Sequence, residues 1–208
     1  MRIESIENLI QLGTIGICSV ISAQHYYSSK RQEWAMMFLA AFVYFLGDLY
    51  WQLYLIFFGE TPYYSHIPYL SWYASYLFLI LLIVGMRGDS RIKVLHPLML
   101  LIPLFTVGMA IFFMQRGDYI SNIICAVIMS ILMLRATEGL MMAKKEGLEN
   151  SRLLYITILA LCVTEYASWV FSSFWTENSI SNPYFWADSV LSIIFLLFPF
   201  ALRKAVDR

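Results

Sequence analysis

Charge is what this sequence has least of. Only 13% of its 208 residues are Asp, Glu, Lys or Arg, against about 25% in an ordinary soluble domain. Hydrophobic residues make up 60% and aromatics 17%, so the chain lacks the polar groups to cover its own surface, and lipid is its natural solvent. The net charge is zero, which argues against nucleic acid as a partner. The three cysteines, Cys18, Cys125 and Cys162, each sit in an apolar run without CxxC or Cys/His spacing, so neither a disulfide framework nor a zinc site is indicated. His25, His66 and His96 fall at three different span ends, on both sides, and cannot make one metal site. There is no GxSxG, HExxH or glycine-rich phosphate loop. The last apolar run has no lysine, which excludes a retinal Schiff base. No metal and no cofactor is expected. The N-terminal MRIESIENLIQ carries two glutamates where a cleavable leader is net positive, and the short tail after the last run leaves no room for a soluble output domain.

What is present is a series of apolar runs. Seven are about 20 residues long, near 8–26, 35–58, 67–86, 94–114, 118–142, 153–175 and 184–202, the length that crosses a bilayer as a helix. The fold class expected is therefore all-α: a polytopic membrane protein with seven transmembrane helices in a single domain, 1–208. The fifth run is apolar only to Leu134, after which RATEGLMMAKKEG reads as a helix emerging into water. Pro103 and Pro199 are kink candidates. Lysine and arginine set the orientation. Twelve of the 14, including Lys30, Arg31, Arg87, Arg91, Lys93, Arg135, Lys144, Lys145, Arg152, Arg203 and Lys204, follow odd-numbered spans, and only Arg2 and Arg116 lie on the other side. That bias puts the N-terminus outside and the C-terminus inside.

Sliding the chain against itself by 117 residues brings Asp48 onto Glu165, Glu60 onto Glu177, Ser71 onto Asp188 and Ser75 onto Ser192. Spans 1–3 thus read as a copy of spans 5–7, with half-repeats near 1–87 and 118–204 and a linker helix at 94–114. Three spans plus one linker restore the starting orientation, so the repeat is parallel, as in some transporters.

Inside FLGDLYWQLYLIFFGET (residues 45–61) lies Asp48, near the middle of a span; Glu165 is equally deep in the sixth, and Asp188 stands one turn into the seventh. An intramembrane carboxylate costs about 3 kcal/mol on insertion scales and by default faces the bundle interior with a function. Asp48, Trp51, Gln52 and Leu55 follow the i, i+3, i+4, i+7 pattern, repeated by Glu165, Ser168, Trp169 and Ser172; Asp188 and Ser192 share one face, as do Ser71 and Ser75. These stripes are expected to close around a common cavity. No lysine or arginine lies deep enough to pair with the acids, so each is expected to carry a proton or to hold a bound cation. The plainer alternative is helix glue, in which an acid hydrogen-bonded to Ser or Gln contributes about 0.6 kcal/mol.

Aromatic residues crowd the outer half: Trp51, Tyr54, Tyr63, Tyr64, Tyr69, Trp72, Tyr73, Tyr76, then Trp169, Trp175, Tyr184, Phe185 and Trp186. An interfacial belt accounts for such a distribution. Aromatic faces beside an unpaired carboxylate also suit an organic cation.

The stretch GDLYWQLYLIFFGETPYYSHIPYLSWYASYLFLILLI resembles the seven-span membrane sensory regions found at the N-terminus of bacterial diguanylate cyclases and related signalling proteins. The resemblance covers mainly residues 45–83 and more loosely 162–202, and implies importance for Asp48, Trp51, Pro62 and Asp188. The chain departs from that pattern at Ser71, where the family tends to be acidic, and in having no cyclase or kinase domain after the last span.

Together these features predict a stand-alone sensor or receptor-like module of the bacterial inner membrane, in contact with membrane lipid. It would bind a small ligand or cation in an outward-facing cavity formed by Asp48, Trp51, Gln52, Trp72, Glu165, Trp169 and Asp188. Loops 87–93 and 143–152 would carry the signal to a cytoplasmic or membrane partner. The alternatives are a small proton-coupled transporter and, third, a lipid-modifying enzyme, for which the sequence offers no catalytic set.

Overall fold

The computed structural model describes residues 3–60, 62, 66–87, 96–145, 148–177 and 179–206. Tyr63, Tyr64, Arg2, Arg91 and Lys93, with most of loop 87–93, lie outside the described residues. Seven α-helices account for nearly all of the rest: α1 (Ile3–Ser29), α2 (Gln32–Phe58), α3 (His66–Arg87), α4 (Leu101–Met114), α5 (Tyr119–Lys145), α6 (Glu149–Phe174) and α7 (Pro183–Val206). All seven are long and apolar enough to cross a membrane, α4 together with the 3₁₀ turn Pro97–Leu100 that leads into it. The chain is a polytopic all-α membrane protein with no strand among its described residues.

The helix ends follow from local chemistry. Gly59, at φ 73°, closes α2 by donating its N–H to Leu55 O at 3.0 Å, a conformation that glycine adopts without a steric penalty. Asn182 accepts from Tyr184 N at 3.0 Å and donates to Glu177 O at 2.8 Å, so it caps α7 just ahead of Pro183. Pro103 lies in the first turn of α4, where the missing N–H has no α-helical partner to lose. Pro199 sits inside α7 as expected.

Helices overrun the apolar runs by several residues because polar ends stay helical. The tail of α5 is packed along one face while Arg135, Lys144 and Lys145 stay exposed: Ala136, Met142 and Ala143 are buried, and Gly139 lets the Tyr155 ring of α6 lie so close that a Cβ would collide with it. On the same tail Arg135 turns outward to pair with Glu138 at 3.0 Å.

The principal packing pairs are α1/α2, α2/α3, α3/α5, α5/α6, α6/α7 and α7/α1, a closed ring of six helices. Helix α4 stays outside the ring, packed on α5 and touching α6 through Phe105–Tyr166 and Phe113–Trp169 ring contacts. Its other side presents Leu98, Leu101, Leu104, Val107 and Ile111, all exposed, which lipid covers. Exchanging α1, α2 and α3 with α5, α6 and α7 maps each pair in the ring onto another: α1/α2 onto α5/α6, α2/α3 onto α6/α7, and α7/α1 onto α3/α5.

The packed core is not centred. It draws on the first halves of α2 and α6 (Trp34, Met37, Ala41; Leu154, Ile158, Leu161) and the second halves of α3 and α7 (Leu79, Leu82, Ile83; Phe195, Phe198, Leu202). Antiparallel neighbours put all of these toward the end of the bundle that holds Lys30, Arg31, Lys144, Arg152 and Arg203. The end bearing the N-terminus is left for a cavity.

Candidate functional site

The cavity occupies about 400 Å³ at the N-terminal end of the bundle, and side chains from all seven helices line it. Its floor begins with the glycine–aspartate pair in α2. A Cβ on Gly47 would stand 3.0 Å from Ser71 Cβ and 3.1 Å from Trp72 Nε1, so glycine is what lets α3 approach this closely. The approach puts Trp72 Nε1 within 2.8 Å of Asp48 Oδ1, to which it donates. Asp48 Oδ2 is buried and has no partner among the described residues.

One turn deeper, the Tyr44 hydroxyl donates to Glu165 Oε1 at 2.6 Å, joining α2 to α6 across the ring. Tyr76 of α3 is wholly buried and faces the same carboxyl, although its hydroxyl closes no hydrogen bond. Asp188 of α7 is buried beside Tyr184, one turn earlier, and Ser168 of α6. Asp48, Glu165 and Asp188 thus bring three carboxyls from three helices to one space, close enough to act on one another. Among the described lining residues the one cation is Arg116, at the rim.

Aromatic rings form the walls. Trp72 contacts Trp51 at 6.3 Å, Tyr69 at 5.6 Å and Tyr44 at 6.1 Å between centroids. Trp169 meets Tyr166 at 5.5 Å and Phe113 at 6.2 Å. Such faces carry negative π density that favours a cation between them.

Six of the seven residues singled out from sequence line the cavity: Asp48, Trp51, Trp72, Glu165, Trp169 and Asp188. Gln52 does not. It is buried with its side-chain carbonyl unpartnered, because the lining face of α2 runs through Tyr44, Asp48 and Trp51, and Gln52 lies about 100° around from Trp51. The Ser71/Ser75 stripe also falls elsewhere. Ser71 lies against Gly47 and bonds back to Ile67 O at 3.3 Å, and α3 instead lines the cavity with Tyr69, Trp72 and Tyr73. On α6 the whole predicted stripe, Glu165, Ser168, Trp169 and Ser172, does line it. Of the described outer aromatics, Tyr54, Tyr76, Trp175, Phe185 and Trp186 stay out of the lining.

Sequence reasoning missed Tyr44, whose position four residues before Asp48 placed it on the same face, and Asn8 and Gln11 of α1. Cys125 also lines the cavity, whereas Cys18 and Cys162 are buried away from it; all three are free thiols. Among the described residues no group of three His, Cys, Asp and Glu side chains converges as metal ligands.

No family model, curated protein or solved structure matches the chain. The fold and the site define the class directly: a seven-helix integral membrane protein with an acidic, aromatic-walled cavity at one end of the bundle.

Proposed function

We propose that this protein is a membrane receptor module that binds a small organic cation in the cavity and relays occupancy through the packed end of the bundle to a separate partner. The observation that carries this reading is the convergence of Asp48, Glu165 and Asp188 on an aromatic-walled space with no lysine, arginine or histidine paired to them among the described residues. Three carboxyls in a poorly solvated space favour a cation among them, and rings favour one that carries hydrocarbon.

Charge distribution supports an outward-facing cavity in a bacterial inner membrane, because the opposite end of the bundle holds most of the lysines and arginines. A route for the signal is available as well. The Tyr44–Glu165 hydrogen bond links α2 to α6, and a ligand cation competing for Glu165 would release it. A ligand shifts a conformational equilibrium by its differential affinity for the two states. The far end of α2 begins beside Arg31, which donates to Val206 O of α7 at 2.5 Å, and that of α6 begins at the segment 143–152, where Arg152 pairs with Glu149 at 2.7 Å.

Thermal unfolding of the purified protein against tetramethylammonium, choline and aromatic amines tests the reading. A saturable rise in Tm that disappears in Asp48→Asn and in Glu165→Gln is expected. No rise with any cation, in a protein whose variants are as stable as the parent, would leave the acids as helix glue and end this reading.

The matched pairing of the two halves of the ring favours one other reading, a proton-coupled transporter built from a parallel 3+1+3 repeat. It predicts uptake into proteoliposomes driven by a proton gradient, which a receptor does not perform.

A further inference from the structure

The cavity is electrically lopsided, and its rim is as specific as its floor. Arg116 lies in the turn between α4 and α5. Its guanidinium stands over the rings of Phe112 and Phe174, 5.5 and 5.0 Å from their centroids, and Nη1 donates to Ser173 O of α6 at 2.6 Å. The two rings, tilted 32° to each other, offer their faces to the guanidinium. Arginine has five N–H donors, and a single one is engaged by the described residues. Asp118 is also at the rim, but its carboxylate is turned to Ser121 N at 3.3 Å and to His66 Nδ1 at 4.0 Å, and it forms no ion pair with Arg116 among the described residues. Gly117 at φ 102° and Asp118 at φ 50° fix the turn that presents Arg116.

A guanidinium at the mouth opposes a ligand that is only a cation. It makes chemical sense if the ligand also carries an anion. Resting on the organic-cation reading above and narrowing it, we propose that the ligand is a zwitterion, its ammonium among Asp48, Glu165 and Asp188 and its carboxylate on the Arg116 fork. Helical rise sets the span. Asp188 is level with Ser168 and Arg116 is tied at Ser173, five residues and roughly 7 Å higher; Glu165 is eight residues and roughly 12 Å below that tie. With its ammonium at Glu165, an α-amino acid is too short: its charges stand about 3 Å apart, and two contacts of about 2.8 Å each add less than the remaining distance. A ligand with amine and carboxylate at opposite ends fits, and the rings between them suit an apolar middle. The cavity volume of about 400 Å³ falls within the usual range for small-molecule sites.

The test is calorimetric titration of the whole protein in nanodiscs with 6-aminohexanoate against pentylamine, 4-(aminomethyl)benzoate against benzylamine, and glycine against methylamine. Each of the first two zwitterions is expected to bind about tenfold tighter than its decarboxylated counterpart, as a charge-assisted bidentate contact allows. Glycine should show no such preference. In Arg116→Gln the preference should vanish while the bare amines bind at least as tightly as to the parent, which also shows that the variant is folded; Arg116→Lys should restore part of it. Amines binding as well as the zwitterions, or a preference that survives Arg116→Gln, would overturn the zwitterion and leave the cation site standing. Failure of amines and zwitterions alike would overturn both.

Discussion

Tyr44 and Glu165 are 121 residues apart in the chain and 2.6 Å apart in the bundle, and that one contact carries much of what individual residues do here. Tyr44→Phe removes the donor and strands a buried carboxyl oxygen, which costs about 1–3 kcal/mol. Glu165→Gln keeps the shape and should cost less. In a double-mutant cycle followed by denaturation in detergent the pair should couple by about 0.5–3 kcal/mol; additive effects would mean that the bond contributes nothing. At Gly47 the expectation is steric. Gly47→Val pushes α3 from α2 and separates Trp72 from Asp48, so it should lower Tm and blunt Trp72 quenching by cavity ligands, whereas Gly16→Val, opposite a flexible Phe45 edge, should be milder. The acids of the site were legible because a charge inside an apolar run has few explanations. Tyr44 was not, since an aromatic in a membrane helix reads equally well as packing, and Gln52 was misplaced because one helix alone does not say which edge of its polar stripe meets the others.

At the scale of elements, apolar length located seven helices, and the differences lie at their ends. The tail of α5 shows why. RATEGLMMAKK looks solvated because Arg135, Glu138, Lys144 and Lys145 interrupt it, yet its small residues Ala136, Gly139 and Ala143 fall on one face and dock on α6. Gly139 is the tightest point. Gly139→Val should destabilise the protein by about 1–3 kcal/mol through overpacking, measured by denaturation in detergent, and shrinking Tyr155 to Leu in the same chain should recover part of the loss. An equally destabilised double variant would show that the glycine matters for the helix itself and not for the approach of Tyr155. The 3₁₀ entry to α4 was invisible for a related reason: Pro97 and Pro103 fix local geometry, but only the packing of α4 outside the ring decides where its regular turns begin.

For the whole molecule the informative property is the division of the ring into a packed end and an open end, which no single run of sequence specifies because it depends on which halves of six helices face each other. The division has a kinetic consequence. On the proposed cation reading the three carboxyls focus negative potential in the cavity, and Cys125 sits in its lining while Cys18 and Cys162 do not. A cationic methanethiosulfonate should therefore modify Cys125 at least about tenfold faster than an anionic reagent of equal size, in line with electrostatic focusing in charged clefts, and raised salt should narrow the gap. Ser172→Cys, on the exposed part of the lining, provides a second probe in a chain whose native cysteines are replaced. Applied from outside to intact cells, the same membrane-impermeant reagents report sidedness, and the lysine and arginine bias predicts labelling there. Equal rates for the two charges at both probes would mean that the cavity carries no net negative field, and the cation reading would lose its electrostatic basis. Labelling only in inverted vesicles would instead keep the site and reverse the proposed orientation, so that the cavity samples the cytoplasm.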